Sequence, residues 1–339
     1  MLRHPSAAPY PQQLTKEPAN IVSHRVFIDG QAGTTGLEIH TRLAMRSDIE
    51  LLEVDSERRK DPIARAELLN AADVVILCLP DDAAVEAVAL IENPAVRVLD
   101  ASTAHRTRDD WVYGLPELAP GQRSAVSQSN RVANPGCYPT GFLLALRPLI
   151  DAGVIRREAE ICVHALSGYS GGGRALVDRY RAQELEGVTA MLAPRPYALG
   201  LQHKHLGEMR QFTGLERAPL FAPMVGHYYK GMLVQIPLPP GLLQRSMDAR
   251  AMTDLLAERY ADEACVHVVR PAGSAALEDG FLDPESCNDT NRVELMVFGD
   301  GDQLLLVARL DNLGKGAGGA AIQNMNLMLG VDELAGVAI

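Results

Sequence analysis

The stretch "RVFIDGQAGTTGLEIHTRL", residues 25–43, decides the fold that we expect for the first part of the chain. It reads as a short β-branched and aromatic strand, a glycine-rich loop and a helix with one apolar face. Such a loop lets the backbone turn tightly and approach a phosphate, which the N–H groups at the helix start then bind. It predicts a nucleotide site, against the alternative of a simple turn between packed elements. The expected contacts are Gly30, Gly33, Thr34, Thr35 and Gly36.

Three further strand-like runs follow at regular intervals, "IELLEVD" (49–55), "VVILCL" (74–79) and "VRVLDAS" (96–102), with helical stretches between them. This alternation predicts a Rossmann-type, doubly wound parallel sheet of the α/β class. After Cys137 the strand-like runs have fewer helices between them, which indicates a second, more antiparallel α+β domain whose sheet could also form a subunit interface. We expect residues 1–24 to be a disordered tail.

Composition narrows the classes of function. The chain has 339 residues, 47% of them hydrophobic, and a net charge of -11, which argues against broad nucleic-acid binding but leaves an anionic substrate possible. Its five cysteines lack CxxC spacing, so we expect neither a disulfide framework nor a zinc cluster, and a cytoplasmic location. No apolar run approaches the ~18 residues that span a membrane, and residues 1–24 lack the apolar core of a secretory signal.

The segment "EVDSERRKD" (53–61) follows the second strand, where dinucleotide folds select their cofactor. Asp55 favours the free ribose hydroxyl of NAD. The neighbouring polar and basic residues slightly favour the 2′-phosphate of NADP, although a solvated charged turn explains any one of them equally well. The candidates for that phosphate are Ser56, Arg58, Arg59 and Lys60.

Cys137 follows an Asn-Pro-Gly turn and directly precedes an apolar helical run. A helix start offers free N–H groups and a positive dipole end, which stabilise a thiolate and an oxyanion forming on a substrate carbonyl. The alternative for a lone cysteine is a small buried apolar side chain, which we prefer for Cys78, Cys162 and Cys265. For Cys137 the turn, the glycine and the helix start together favour a nucleophile.

Several motifs in order resemble the N-acetyl-gamma-glutamyl-phosphate reductases, relatives of aspartate-semialdehyde dehydrogenase, and most of all their shorter subtype. The likeness covers nearly the whole chain from about residue 25. The motifs are "GQAGTTGLEIHTRL", "DASTAHR", "YGLPEL", "NPGCYPTG", "SGYSGGGR", "LQHKHLGE" and "NLGKGAGGAAIQNMN".

The resemblance implies reduction of an acyl phosphate by NADPH through a thioester on Cys137. A proton-transfer group is then required, and "HKH" offers His203 and His205, with a slight preference for His203. A metal-binding pair is the rival reading of H-x-H, but no carboxylate–His–Cys set nearby completes a site, and we expect no metal.

The resemblance also implies the residues that bind ligands. Arginines suit the phosphate and the carboxylate of the substrate. The expected substrate contacts are Arg106, Asn134, Ser167 and Arg174. A second glycine-rich loop, "NLGKGAGG" (312–319), would return to the first domain, and its expected cofactor contacts are Asn312, Lys315 and Gly316. Gly168 of the "SGYSGGGR" loop is a further expected cofactor contact. The resemblance thus implies an NADP-binding domain over 25–137 and 314–339 and a catalytic and dimerisation domain over 138–313.

Two alternatives remain open at this stage. The same chemistry could act on aspartyl phosphate or a carrier-bound aminoadipyl phosphate, which the shape of the pocket would decide. A non-catalytic nucleotide-binding regulator on the same fold would bind cofactor without turnover. A small-molecule substrate and a homo-oligomer, dimer or tetramer, are the expected partners, with neither nucleic acid nor membrane.

Overall fold

The computed structural model describes residues 23–54, 58, 61–185, 193–270, 277–301 and 303–339. The predicted tail therefore lies outside the described residues, except that His24 already opens the first strand. Asp55, Ser56, Arg59 and Lys60 also lie outside them.

The first unit is a six-stranded sheet in the order β2-β1-β3-β4-β6-β5, in which every pair of neighbours is parallel. Its predicted strands and helices are confirmed, with ends shifted by a few residues, whereas β5, α4 and β6 were not predicted. The elements are β1 (His24–Asp29), α1 (Thr34–Leu43), β2 (Ile49–Leu52), α2 (Pro62–Ala71), β3 (Val74–Leu77), α3 (Asp81–Ala89), β4 (Arg97–Asp100), β5 (Val112–Tyr113), α4 (Gln122–Gln128) and β6 (Arg131–Ala133).

The second unit contains a seven-stranded mixed sheet in the order β11-β12-β13-β10-β7-β9-β8. The four predicted strands are present as β7, β10, β12 and β13. The strands that were not predicted are β9, which is as long as β7 and β10, and the short edge strands β8 and β11. The elements from Cys137 onward are α5 (Cys137–Asp151), β7 (Cys162–Gly168), α6 (Gly173–Leu185), β8 (Arg195–Pro196), α7 (Leu206–Thr213), β9 (Leu220–Gly226), β10 (Met232–Leu238), α8 (Ala249–Arg259), β11 (Val266–Val268), β12 (Val293–Asp300), β13 (Gln303–Leu310) and α9 (Gly319–Leu329), the last of which packs on the first unit.

Both faces of the first sheet are covered, as its run of fully buried β3 residues requires. On one face α9 packs Ile322 and Met325 beside Ile39 of α1. On the other face α2 and α3 bury Leu69 and Ala84. The chain thus returns to the first unit at its end, and this return carries the loop before α9 toward Cys137.

Helix α5 joins the two units and is almost entirely buried. Its side chains pack against the second sheet, where Phe142, Leu146 and Leu149 share a core with Val234 of β10 and Leu310 of β13. A buried helix of 15 residues in such a core has little freedom to move. Its first residue, Cys137, is therefore held in a fixed place.

Candidate active site

A cavity of about 690 Å³ opens beside Cys137. Its walls come from both units, with Thr34 and Thr35 on one side and Ser167 and Val225 on the other. Among the described residues that line it, no side chain is a carboxylate, although the whole chain has a net charge of -11. The lining cations are Arg106, Arg179, Arg195 and Lys204. The cavity therefore suits an anionic ligand.

Cys137 is the first residue of α5, and Gly136 precedes it as an extended N-cap. Burial raises the pKa of the Cys137 thiol to about 11, although Arg106 and the Tyr138 N–H both act to lower it. The helix start and Arg106 thus act in the expected direction, toward a thiolate, but loss of hydration outweighs them. With this pKa the thiol is neutral at pH 7.

Three functional side chains converge on Gly136. A Cβ atom at this position would lie 2.6 Å from His205 Nε2, 2.7 Å from Arg106 Nη1 and 2.7 Å from Glu208 Oε1. Any side chain here would displace that cluster. Glycine is therefore required immediately before the cysteine, for space and not for a left-handed turn, since its φ is -73°.

Glu208 organises this cluster and was missed by the sequence reasoning. Its Oε1 accepts a hydrogen bond from Arg106 Nη1 at 2.8 Å, and its Oε2 accepts from Tyr113 OH at 2.6 Å and from the Gly136 N–H at 3.0 Å. Both Arg106 and Glu208 are buried. The only hint in the sequence was its position three residues after His205, at the end of the quoted "LQHKHLGE" motif.

The loop after β4 positions Arg106. Asp100 is fully buried and accepts hydrogen bonds from Ser102 Oγ and from His105 Nδ1, both at 2.6 Å. The His105 ring stacks on Trp111 with centroids 4.1 Å apart. Arg106 follows this fixed segment, and its Nη2 also donates to a backbone oxygen of the same loop at 3.1 Å. Its Nε has no hydrogen-bond partner among the described residues.

His203 and His205 both line the cavity, with ring centroids 4.7 Å apart. His203 Nδ1 accepts a hydrogen bond from the His205 backbone N–H at 3.2 Å, so its own proton sits on Nε2. Burial, with a smaller effect of Lys204, lowers the pKa of His203 to about 4. Burial and the nearby Arg106 lower the pKa of His205 well below its ordinary value. Both imidazoles are therefore neutral at pH 7.

The glycine loop before α1 fits the phosphates of a dinucleotide. Gly30 has a φ of +92°, and a Cβ there would lie 2.3 Å from the Cys78 carbonyl oxygen, so only glycine is tolerated. A Cβ on Gly36 would lie 2.4 Å from the Gly30 oxygen. Helix α1 begins at Thr34 after Gly33, with no side chain capping it, and the buried Thr34 Oγ1 has no partner among the described residues. Unpaired donors at a helix start are what an anionic cofactor requires.

Other residues expected to bind ligands line the same cavity. Asn134 donates to the Ala317 oxygen at 3.0 Å, and its Oδ1 accepts from Asn324 at 3.0 Å, so it ties the cysteine turn to α9. Asn312 donates to Ser170 Oγ at 2.9 Å and accepts from the Gly231 N–H at 2.8 Å. Ser167, Gly168 and Gly316 also line the cavity. A Cβ on Gly316 would lie 2.8 Å from that of Cys137, so the loop before α9 packs directly on this cysteine.

The structure does not bring every expected residue to the cavity. Arg174 lies on the exposed side of α6 and pairs with Asp178 at 2.9 Å, because its position in the first turn of that helix directs it to solvent. Lys315 is fully buried behind the loop, with Nζ 2.7 Å from Glu117 Oε1. Neither residue lines the cavity. Arg58 is exposed and pairs with Asp61 at 2.9 Å, while Ser56 and Arg59 lie outside the described residues.

Comparison with known proteins assigns the family. Residues 25–126 match the family model described as semialdehyde dehydrogenase, NAD binding domain, and residues 137–312 match semialdehyde dehydrogenase, dimerisation domain. An aspartate semialdehyde dehydrogenase II from Vibrio cholerae has the same fold, with a TM-score of 0.68 at 17% identity over 91% of this chain and 98% of that one. The aspartate semialdehyde dehydrogenase from Francisella tularensis gives a TM-score of 0.70 at 12% identity, and the match covers 90% of this chain and 100% of that one.

Sequence relatives are much closer. N-acetyl-gamma-glutamyl-phosphate reductase 2 of Nostoc sp. is 49% identical over 318 residues, which are 92% of this chain and 99% of the relative. The N-acetyl-gamma-glutamyl-phosphate reductase of Burkholderia cenocepacia is 49% identical over 312 residues, which are 91% of this chain and 98% of the relative. The matched stretches are long enough to include residues of both units. The chain therefore belongs to the semialdehyde dehydrogenase family and, within it, to the N-acetyl-gamma-glutamyl-phosphate reductases.

Proposed function

We propose that this protein reduces N-acetyl-gamma-glutamyl phosphate to the semialdehyde and inorganic phosphate with NADPH, a step of arginine biosynthesis. The observation that carries the proposal is the position of Cys137, at the first turn of a buried helix and in a cation-lined cavity that also reaches the phosphate loop at Thr34. The names of the relatives indicate the substrate, and the residues that line the cavity indicate the type of reaction.

In the proposed reaction the Cys137 sulfur attacks the acyl carbonyl carbon. A carbon–sulfur bond forms, the carbon–oxygen bond to phosphate breaks, and inorganic phosphate leaves a thioester on the enzyme. NADPH, when bound with its phosphates at the loop before α1, supplies the hydride that reduces this acyl group. The resulting thiohemiacetal oxygen is negative, and its collapse to the aldehyde returns the electron pair to sulfur.

Charge in the cavity supports each of these steps. Arg106 and Lys204 lie close enough to Cys137 to lower the pKa of its thiol, and so they also face the carbonyl and the phosphate of a bound substrate. The N–H groups in the first turn of α5 have no partner within the helix and can receive the oxyanion. Because Glu208 fixes Arg106, these donors are in place before the substrate arrives.

We assign proton transfer to His205 rather than to His203. His205 Nε2 lies against Gly136, next to the nucleophile, and its Nδ1 has no hydrogen-bond partner among the described residues. His203 is held by the His205 N–H through Nδ1, and its ring contacts Tyr138, Tyr197 and Phe221 at their edges. The neutral His205 can take the thiol proton and later return it.

The remaining features follow from the same proposal. The match of residues 137–312 to a dimerisation domain supports a homo-oligomer built on the second unit. We place the domain boundaries at 25–137 with 314–339 and at 138–313. In the described part of the chain, no helix has the length and apolar character needed to cross a membrane. The five cysteines are free, which suits the reducing cytoplasm.

The reverse reaction tests the function directly. Purified protein is mixed with NADP, inorganic phosphate and N-acetyl-glutamate semialdehyde, and the absorbance of the reduced nicotinamide is followed. We expect phosphate-dependent NADPH formation that Cys137→Ser abolishes while NADPH binding is retained. Turnover of aspartate semialdehyde instead would overturn the substrate, and cofactor binding without turnover of either aldehyde would favour a regulatory protein.

A further inference from the structure

An arginine of α2 reaches the carboxyl end of β1, where the glycine loop begins. Arg65 donates hydrogen bonds to Asp29 Oδ2, from Nη2 at 2.7 Å and from Nε at 3.3 Å. Asp29 is the last residue of β1 and directly precedes Gly30 of the loop. Ligands of open α/β sheets bind outside the carboxyl ends of the strands. The pair therefore lies at the edge of the sheet where a dinucleotide binds, although neither residue lines the cavity beside Cys137.

The pleat of β1 and the start of α2 explain this contact. Phe27 belongs to the core between the sheet and α2, and Asp29, two residues further along the strand, faces the same side. Helix α2 begins directly after the segment 53–61, and Arg65 lies in its first turn. The guanidinium group thus stands between the end of β1 and the segment that selects the cofactor.

The carboxylates at the ends of β1 and β2 already have partners. NAD-binding folds use a free carboxylate near the end of the second strand to bind the ribose hydroxyls. Glu53 directly follows β2, and its Oε1 lies 3.1 Å from His40 Nε2. Asp29 at the end of β1 is held by Arg65. Among the described residues at these two strand ends, both carboxylates are therefore paired, which disfavours their use as ribose acceptors.

Arg65 retains donors for a further anion. Its Nε and Nη2 both bind Asp29, whereas Nη1 makes no hydrogen bond to a described residue. The side chain is 21% exposed, so the fold does not seal it from solvent. A guanidinium group carries five N–H donors in a planar fork, and it can therefore hold a carboxylate on one edge and a phosphate on another.

We propose that Arg65, held in place by Asp29, binds the 2′-phosphate of NADPH and gives the enzyme a preference for NADPH over NADH. The inference rests on the proposed function, in which NADPH is the reductant. The ion pair also removes a repulsion, because an unpaired Asp29 carboxylate at the start of the glycine loop would disfavour every phosphate of the cofactor. Arg65 thus acts beside the basic residues of the segment 53–61, for which the sequence indicates the same phosphate.

Binding without turnover tests the proposal. NADPH and NADH are each titrated into the protein without aldehyde or phosphate, and the fluorescence of the reduced nicotinamide gives the two Kd values. We expect Arg65→Gln to raise the Kd for NADPH about 10- to 100-fold, the usual effect of losing a hydrogen bond to a charged group, and to leave that for NADH nearly unchanged. Arg65→Lys keeps the charge and should recover part of the loss. Arg25→Gln is the matched control, because it breaks the pair with Asp73 at the opposite end of β1 and should change neither Kd.

A double variant separates the phosphate contact from the ion pair. Arg65→Gln alone leaves the buried Asp29 without its counter-ion and should lower the thermal stability of the cofactor-free protein. Adding Asp29→Asn removes that charge, so the double variant should regain stability without regaining affinity for NADPH. Full recovery of the NADPH affinity would mean that Arg65 only cancels the charge of Asp29, and it would overturn the phosphate contact.

The remaining outcomes also decide the inference. An equal loss for NADPH and NADH would assign Arg65 to a part that both cofactors share, and no loss would remove it from the cofactor site. Either result overturns the proposal, as would wild-type protein that binds the two cofactors equally well. Failure to turn over N-acetyl-glutamate semialdehyde would overturn the proposed function alone, because these titrations contain no substrate.

Discussion

Glu208 holds Arg106 across 102 positions of sequence, through a hydrogen bond of 2.8 Å between Oε1 and Nη1. The same carboxylate accepts the Gly136 N–H, so one side chain fixes both a cation that lines the cavity and the turn before Cys137. Both partners of the ion pair are buried. The pair therefore matters for stability and for catalysis at the same time.

Glu208→Gln should be strongly destabilising. It leaves the Arg106 charge buried without its counter-ion, and breaking a buried pair on one side costs about 3 kcal/mol or more. Urea unfolding measures the loss. The double variant Arg106→Gln with Glu208→Gln should lose less than the sum of the two single changes, because the uncompensated charge is gone. A single Glu208→Gln variant within about 0.5 kcal/mol of wild type would contradict this account.

Alkylation of Cys137 should report its raised pKa. Only the thiolate reacts, so the rate with iodoacetamide in the ligand-free protein should rise about tenfold per pH unit above neutrality and level off only near pH 11. Peptide mass spectrometry separates this reaction from that of Cys162, which is exposed. Arg106→Gln should move the profile to still higher pH, because Arg106 lowers the pKa. A plateau near neutrality would mean that the helix start outweighs burial.

The two histidines should differ in kinetics. We expect His205→Asn to lower kcat/KM by about 10²-fold or more, the usual contribution of a general acid–base group. His203→Asn should cost less, because the His203 ring packs against Tyr138, Tyr197 and Phe221 and its Nδ1 already accepts the His205 N–H. The wild-type pH profile should show no acidic limb near 6.5, since burial keeps both imidazoles neutral there. A larger loss in His203→Asn than in His205→Asn would reverse the assignment.

Local signals explain what could be predicted. Periodic apolar residues and the glycine loop predicted β1, α1 and the alternating elements that follow. The apolar run after Cys137 predicted α5. The short strands β5, β8 and β11 have two or three residues each and carry no pattern of their own. They exist because a longer neighbour offers a free edge, which only the tertiary fold reveals.

The residues of the candidate site also fall into two groups, those that sequence motifs indicate and those that only the folded structure reveals. Cys137, the histidines and Arg106 stand in recognisable motifs, and all of them line the cavity. Glu208 could not be identified, because its role depends on partners brought together by folding. Arg174 was expected at the cavity and Arg195 was not, since sequence order does not show which arginine of a segment lines a cavity. The glycine-rich loop indicated a ligand contact by Lys315, whose side chain turns into the core instead.

The final prediction concerns Lys315. The sequence indicates a cofactor contact for this residue, whereas the structure buries it in an ion pair. Its ion pair with Glu117 is fully buried on both sides. Burial acts to raise the pKa of Glu117, but Lys315 outweighs it and holds that pKa below its usual 4.5. Because the folded pKa lies below the unfolded one, this carboxylate stabilises the protein above pH 4.5, and the gain is lost as the pH falls through the folded pKa.

In Lys315→Met the shift of the Glu117 pKa on folding should change direction, from lowered to raised. Without the ammonium group, burial raises the folded pKa of Glu117 above its unfolded value, so the stability lost relative to wild type should grow as the pH rises above 4.5. Urea unfolding at pH 5.5 and 7.5 measures the change, and adding Glu117→Gln should remove its pH dependence. The KM for NADP should stay unchanged in the single variant. A raised KM with unaltered stability would instead restore Lys315 as a cofactor contact, because a side chain that binds the cofactor contributes nothing to the fold in its absence.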